Sequence, residues 1–328
     1  MAVLLETPPR LLARDRVNLL GTRIDRIRMG ALEQWLESFM LSRQPHQIIT
    51  ANLDFIAIAR RQPAFAALIE GADLVVCDGK PLQWASQLQG EPIPNRVTGM
   101  DLVQRTALLS VERGYRIFFL GAAPGVAERA ADGLRRLFPG VVLVGSYSPP
   151  LGPIDDEENA RMVERVRSAR PDALFVALGA PRQDYWIQRN LTAVNVPLCA
   201  GVGGVLNFLA GETRRAPEWI QRCGFEWAYR LLQEPSRLWR RYLVDDLPLF
   251  FELLARQGLE RLRAGRARLA PAPVMALAGG PALDAEVTGV TFLATIPVRQ
   301  EHGPRVLPRE PAPVAARARV RKRSCRAW

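Results

Sequence analysis

Six short apolar runs, each followed by turn residues and then by a helix pattern, constrain the fold of this chain more than any other feature. Apolar strand runs that alternate with helices are typical of a parallel sheet covered on both faces. We therefore predict an α/β, Rossmann-like fold with a mostly parallel sheet, preceded by a hairpin over residues 17–27 and a helix near residues 30–42. The runs span residues 47–50, 73–77, 115–120, 141–144, 172–178 and 197–200.

Polar residues and glycines cluster where these runs end. In open parallel sheets, ligands bind beyond the carboxyl ends of the strands. The residues at or shortly after the ends of the runs are therefore candidate site residues. They are Thr50, Asn52, Asp78, Gly121, Gly179, Gln183, Gly203 and Gly204.

Three strand ends carry glycine turns, at residues 121–125, 179–181 and 201–204. Such turns bring backbone N–H groups and a helix N-terminus close to a phosphate. None of them completes the G-x-G-x-x-G dinucleotide motif, and the chain has no P-loop motif. Each turn alone is also explained by a tight bend that requires glycine, but together they favour a diphosphate or nucleotide ligand.

Two charged residues that follow the second run are candidates for the chemistry. Asp78 follows a buried strand, so it is either the N-cap of the next helix or a general base whose pKa is raised by burial. Arg96 lies in a proline-flanked loop before a helix, where a guanidinium suits bidentate phosphate binding. Asp101, in the same segment, is explained as a cap or first-turn residue.

The scarcity of metal-ligating patterns limits the chemistry. The chain has two histidines, His46 and His302, no Asp-x-Asp pair and no CxxC among its four cysteines. Nucleophilic triads and histidine metal sites need histidine at the reaction centre. We therefore expect metal-free chemistry without a cofactor, in which carboxylates move protons and protein cations stabilise a leaving diphosphate.

The C-terminal third differs from the rest of the chain. Residues 214–258 combine aromatic residues and arginines at helical spacing, which indicates either a helix packed on the core or an interfacial element. Beyond residue 258 the chain is rich in Ala, Pro and Arg and holds most of the net charge of +11, so we predict a mostly disordered basic tail. The first residues lack the pattern of a signal peptide, and we expect a cytoplasmic protein.

A series of motifs, taken in order along residues 16–250, resembles the WecG/TagA/CpsF family of bacterial glycosyltransferases. The motifs are Thr50-Ala-Asn52, Val76-Cys-Asp78-Gly79, Asn95-Arg96-Val-Thr-Gly-Met-Asp101, Phe119-Leu-Gly121, Leu178-Gly-Ala-Pro181-Arg-Gln183-Asp184, Val202-Gly-Gly204, Arg215-Ala-Pro217 and Glu226-Trp-x-x-Arg230. Asp184 stands where many members have Glu, and Asn207 where many have Asp.

The resemblance implies an inverting, metal-independent transfer of an N-acetylmannosamine-type sugar or other hexose from a UDP-sugar to a polyprenyl-diphosphate-linked sugar. It makes Asp78 the general base, Thr50 and Asn52 positioning residues, and Arg96 a diphosphate contact. Gln183 would contact the sugar or nucleotide, with Pro181 and Asn207 also on the substrate side. A leaving-group clamp would come from Arg214, Arg215, Arg230, Arg237 and Arg240.

The same resemblance sets the expected organisation and partners. We predict a glycosyltransferase core over residues 1–211, a helical appendage over 212–258 that completes the active site, and the tail over 259–328. The expected partners are the UDP-sugar donor, the lipid-linked acceptor and the anionic inner face of the cell membrane. No nucleic acid is expected, and a homo-oligomer is left open. The alternatives are a nucleotide-dependent oxidoreductase and a non-catalytic basic protein that binds nucleic acid through the tail.

Overall fold

A parallel six-stranded sheet forms the centre of the protein. The computed structural model describes residues 14–214, 216–233 and 235–256, and the predicted tail over 259–328 lies outside these residues. The strands are β3 (His46–Ala51), β4 (Leu74–Cys77), β5 (Arg116–Gly121), β6 (Val142–Tyr147), β7 (Ala173–Ala177) and β8 (Leu198–Gly201). Their order in the sheet is β4-β3-β8-β7-β5-β6, with every adjacent pair parallel. The predicted α/β, Rossmann-like fold is confirmed.

The side chains of each strand alternate between two apolar layers, as the pleat requires. In β4, Leu74 and Val76 face one layer while Val75 and Cys77 face the other. The first layer is covered by α1 (Met29–Ser42), α5 (Gly99–Arg113), α6 (Val126–Leu137) and α9 (Val205–Leu209). The second is covered by α2 (Leu53–Arg61), α3 (Pro63–Gly71), α4 (Lys80–Gln89), α7 (Asp156–Ala169) and α8 (Arg182–Val194). Both faces of the sheet are therefore buried, which explains the near-continuous apolar runs.

The predicted N-terminal hairpin is present as β1 (Arg16–Leu19) and β2 (Thr22–Asp25). Asp25 ties this hairpin to the main sheet, because its Oδ2 accepts the Val75 N–H at 2.7 Å and pairs with Arg14 at 2.6 Å. The hairpin therefore supports the outer strand β4, whose carboxyl end carries Asp78.

The C-terminal appendage is helical, as predicted. It contains α10 (Glu218–Cys223), α11 (Glu226–Gln233), α12 (Pro235–Trp239), a π-helical turn (Arg240–Asp246) and a final α-helical stretch over residues 247–256. Leu249 and Leu253 of that last stretch are buried with α2 and α3. Within the described part of the chain, no helix combines the length and apolarity needed to cross a bilayer.

Two ion pairs between the appendage and α2 add to this packing. Arg60 forms a two-pronged ion pair with Glu252, at 2.6 and 3.1 Å, and Arg61 pairs with Asp245 at 2.9 Å. The described appendage thus lies against the core. The division at residue 211 stays a prediction.

Candidate active site

Asp78 lies directly after β4, at the carboxyl edge of the sheet. Its backbone N–H donates to the Ala51 carbonyl at 2.7 Å, which extends the β3–β4 pairing by one residue. The N-cap interpretation is wrong, because α4 begins at Lys80 and its N-cap is Gly79. None of the described residues donates a hydrogen bond to the Asp78 carboxylate, so its lone pairs are available for another partner.

The surroundings of Asp78 bring the pKa of its carboxyl group close to neutral pH. Although Asp78 keeps some exposed surface, burial of its carboxyl group raises the pKa to about 7. Arg96 and Arg230 lower this pKa, while Glu226 and Asp101 raise it. A carboxylate poised near the working pH combines a large ionised fraction with useful basicity.

Arg96 is held beside this strand end by backbone contacts on its own loop. The N–H of Val97 donates to the Cys77 carbonyl at 2.8 Å. Immediately after it, Thr98 and Asp101 form a reciprocal capping box at the start of α5, as expected for Asp101. The Arg96 guanidinium donates through Nη1 to Glu226 Oε2 at 2.9 Å.

The appendage supplies two charged side chains to the site from one face of α11. Glu226 and Arg230 are four residues apart and therefore lie on the same side of the helix. The Arg230 guanidinium lies 5.1 Å from the centroid of the Phe208 ring. Its Nη2 is also 3.1 Å from the point where a Cβ on Gly204 would stand. Arg230 thus lies beside the glycine turn that follows β8 and is near enough to Asp78 to lower the pKa of its carboxyl group.

That glycine turn is fixed by two of the predicted site residues. Thr50 Oγ1 donates to the Gly201 carbonyl at 3.1 Å, and Gln183 Oε1 accepts the Gly203 N–H at 3.1 Å. Gly203 has a φ of 53°, a left-handed conformation that glycine adopts without strain. Thr50 and Gln183 are both buried, and in the structure they shape the turn. Their roles as substrate contacts stay predictions.

Asn52 has a local structural role beside Asp78. Its side-chain oxygen accepts the Phe55 N–H at 3.2 Å and so caps α2. Its Cα and Cβ lie 3.5 Å from the point where a Cβ on Gly79 would stand. These distances are ordinary van der Waals contacts, so the close approach of the ends of β3 and β4 does not itself require glycine at position 79. A substrate-positioning role for Asn52 stays a prediction.

The remaining glycine turns lie further along the same edge. Gly121 has a φ of 105° and its carbonyl accepts the Ser148 hydroxyl at 3.0 Å. A Cβ on Gly121 would stand 2.7 Å from the Ala177 carbonyl carbon, so only glycine fits between β5 and β7. Gly179 has a φ of 79° and precedes the cis Ala180–Pro181 peptide that leads into α8.

The structure gives less direct support for a site role of Asn207 and of the remaining arginines in the predicted clamp. The Asn207 backbone carbonyl accepts the Glu212 N–H at 2.9 Å. Arg214 is exposed and exchanges backbone hydrogen bonds with the Gln233 side chain. The exposed Arg240 lies 5.8 Å from the Trp239 ring centroid. Arg215 and the side chain of Arg237 lie outside the described residues, so of the predicted clamp only Arg230 is placed beside Asp78.

Two acidic residues of the site were not assigned a role from the sequence. Glu226 belongs to the Glu226-Trp-x-x-Arg230 motif, but no local sequence pattern indicated that its side chain would contact Arg96. Asp184 is fully buried under the turn after β8, neither of its carboxylate oxygens has a hydrogen-bond partner, and burial raises its pKa to about 7. A Cβ on Gly201 would stand 2.8 Å from Asp184 Oδ1, so glycine makes room for this carboxyl group.

Potential metal ligands do not converge here. Across the residues that the structure describes, no group of three or more His, Cys, Asp or Glu side chains could hold a metal ion. Among the described residues, the guanidinium groups of Arg96 and Arg230 act on Asp78 and can meet an anion.

The comparison with protein families decides the class of protein. The family model described as glycosyl transferase WecG/TagA/CpsF matches residues 17–264. The chain belongs to this family. The match covers the whole sheet, the site and the described appendage, so the sequence resemblance is confirmed.

Curated relatives agree with this assignment. A protein of Bacillus spizizenii is 33% identical over 196 residues, which cover 60% of this chain and 74% of the relative. A protein of Staphylococcus aureus (strain MW2) is 28% identical over 243 residues, which cover 74% of this chain and 92% of the relative. Both are named N-acetylglucosaminyldiphosphoundecaprenol N-acetyl-β-D-mannosaminyltransferase. The chain is thus a glycosyltransferase, and the oxidoreductase and the non-catalytic alternatives are not supported.

Proposed function

We propose that this glycosyltransferase moves a sugar from a UDP-sugar to a polyprenyl-diphosphate-linked sugar during synthesis of a cell-surface polysaccharide. The names of the relatives support the acceptor class, since both act on an N-acetylglucosamine carried by diphosphoundecaprenol. The same names favour N-acetylmannosamine as the transferred hexose. The donor is the sugar nucleotide whose diphosphate suits the glycine turns and guanidiniums along the sheet edge.

The proposal rests on the Asp78 carboxylate. It accepts no hydrogen bond from the described residues, and it lies near guanidinium groups of both the core and the appendage. In the proposed reaction it accepts the proton of the acceptor hydroxyl as that oxygen attacks the anomeric carbon. The bond to the UDP oxygen breaks in the same step, so the anomeric configuration inverts. General-base assistance of this kind is worth roughly 10²–10⁴-fold in rate.

The leaving UDP is stabilised by protein groups on this proposal, without a metal ion. Arg96 and Arg230 both act electrostatically on Asp78, so they lie near the place where the bond breaks. Positive side chains held in a preformed site stabilise the charge that develops on the diphosphate.

The lipid acceptor places the reaction at the inner face of the cell membrane, so we propose that the enzyme is a peripheral protein there. Most of the large apolar side chains that are exposed in the described residues belong to the appendage. They include Trp219, Phe225, Leu232, Trp239 and Phe251. Aromatic side chains and arginines suit a membrane interface.

A donor panel tests the function directly. The full chain is incubated in EDTA with individual UDP-sugars and a short-chain lipid-diphosphate N-acetylglucosamine. UDP release and the mass of the lipid product are measured. We expect release that requires the acceptor, a product heavier by one sugar, and a β-linkage where the donor is an α-linked UDP-sugar. Activity that appears only after Mg²⁺ or Mn²⁺ is added would contradict the metal-free step, and no acceptor-dependent release with any UDP-sugar would contradict the transfer itself.

A further inference from the structure

Glu226 brings an acidic side chain from the appendage into a site expected to bind an anion. It accepts a hydrogen bond from Arg96 at 2.9 Å, and the side chains of both residues are only 16% exposed. A charge-assisted hydrogen bond that is largely shielded from water directs its partner strongly. A diphosphate would not need this carboxylate, so the acid calls for a different explanation.

The charged groups around Asp78 come from three places. Arg96 precedes α5, Asp101 lies in its first turn, and Glu226 and Arg230 come from α11. Next to Asp78 in sequence are the protonated Cys77 thiol, which donates to the Gly79 carbonyl, and Lys80, which donates to Gln83 Oε1 at 3.0 Å. Among all these charges, Arg96 acts on Asp78 most strongly.

A guanidinium near a carboxylate that accepts no other hydrogen bond normally pairs with it, since the two groups are complementary in charge and geometry. Here Arg96 donates to Glu226, whereas no described residue donates to the Asp78 carboxylate. Glu226 therefore competes with Asp78 for the Arg96 guanidinium, and in the structure Arg96 donates to Glu226.

We propose that Glu226 is a positioning residue that holds Arg96 away from Asp78, so that the Asp78 carboxylate stays free to accept the acceptor proton. The inference rests on the proposed function, in which Asp78 is the base. It goes further by giving the appendage an acidic role in addition to its arginines. Packing of α11 on the core then keeps the Asp78 carboxylate free to act as the base, in addition to supplying Arg230 to the site.

The consequence for catalysis follows from the hydrogen bonds. Without Glu226, Arg96 donates to the Asp78 oxygens that have to accept the proton, and its positive charge stabilises the ionised form. Both effects make Asp78 a weaker base. The loss of Glu226 therefore lowers the rate at high pH and also moves the titration of the base toward lower pH.

The test compares two isosteric variants, Glu226→Gln and Glu252→Gln, in the full chain. Each removes one acid of the appendage that pairs with an arginine of the core, but Glu252 pairs with Arg60 on α2, away from Asp78. The pH profile of kcat/KM is measured by UDP release. We expect Glu226→Gln to lower the plateau on the order of 10-fold or more and to move its acidic limb down on the order of one pH unit. Glu252→Gln keeps the acidic limb of the unmodified enzyme.

Introducing Glu226→Gln into an Arg96→Gln variant separates the effect that Glu226 exerts through Arg96 from the direct electrostatic effect of its own charge. We expect Glu226→Gln to shift the limb clearly less in Arg96→Gln than in the unmodified enzyme. Equal shifts in both backgrounds, or a lower rate with an unmoved limb, would overturn the inference. Glu226→Asp keeps the charge on a shorter side chain and should give a limb between those of the unmodified enzyme and Glu226→Gln, with thermal unfolding confirming that each variant is folded. If Asp78→Asn keeps normal turnover, the base assignment itself fails, which is a different result.

Discussion

Two aspartates at the carboxyl edge of the sheet have a raised pKa for the same physical reason but in different surroundings. Burial raises the pKa of both Asp78 and Asp184 to about 7. Asp78 keeps exposed surface and is flanked by two guanidiniums, whereas Asp184 is fully buried and both its oxygens lack hydrogen-bond partners. Asp78 is the more accessible of the two, so we propose a catalytic role for Asp78 and an effect on stability for Asp184.

For Asp184 the sign of the pH dependence follows from the raised pKa. Between the ordinary value of 3.8 and about 7, the folded protein keeps a proton that the unfolded chain releases. The free energy of unfolding therefore falls as the pH rises through this window. We expect Asp184→Asn to remove this dependence, with little difference from the unmodified protein at pH 4 and a gain on the order of 2–4 kcal/mol at pH 8.

Urea unfolding of both proteins at the two pH values measures this difference. A gain of the same size at both pH values would show that packing, rather than ionisation, distinguishes the asparagine variant.

The sequence predicted the strands and the location of the candidate site at their carboxyl ends. It did not predict all of the side-chain contacts at that edge. The strands follow from apolar runs bounded by turn residues, a signal that is local in the sequence. The N-cap interpretation of Asp78 failed because α4 begins at Lys80, one residue later than a cap at Asp78 requires. The contact between Arg96 and Glu226 joins residues 130 positions apart, so no local pattern could indicate it.

One prediction concerns the packing of α6 against α9. A Cβ on Gly133 of α6 would overlap the backbone carbonyl of Leu209, the last residue of α9. Because a backbone atom cannot move aside as a flexible side chain does, Gly133→Ala should destabilise the fold by about 1–3 kcal/mol. The displaced helix follows the glycine turn at residues 201–204, so activity should fall as well.

Gly30→Ala is the matched control for this variant. Gly30 is an exposed glycine of α1 with open space around it, so alanine should be neutral or stabilise by about 0.5–1 kcal/mol. Thermal unfolding of the two variants checks the pair. Equal melting temperatures for Gly133→Ala and Gly30→Ala would show that α6 and α9 do not pack as closely as described.

At the scale of the whole molecule, the question is how a chain whose described helices cannot span a bilayer reaches a lipid-linked acceptor. We predict that the exposed aromatic residues of the appendage dock on anionic membranes. Replacing Trp219, Trp239 and Phe251 by Ser should abolish sedimentation with anionic liposomes and transfer to an acceptor embedded in them. Transfer to a short-chain acceptor in solution should be kept.

The control replaces exposed apolar residues of the core, Leu108 and Leu137, by Ser. This variant should sediment with liposomes as the unmodified protein does. If the appendage variant still sediments and transfers normally, the membrane contact lies elsewhere in the chain.

The proposed reaction depends on Asp78 as the base, and the turnover of Asp78→Asn checks this role. Asparagine keeps the size of the side chain but cannot accept the proton, so kcat should fall roughly 10²-fold or more while donor binding is largely kept. Asp101→Asn is the control, because an amide oxygen can still accept the Thr98 N–H in the capping box, and it should stay close to the unmodified rate. UDP release at saturating donor and acceptor, with donor affinity measured separately, gives both quantities. A kcat for Asp78→Asn near that of the unmodified enzyme would contradict the account.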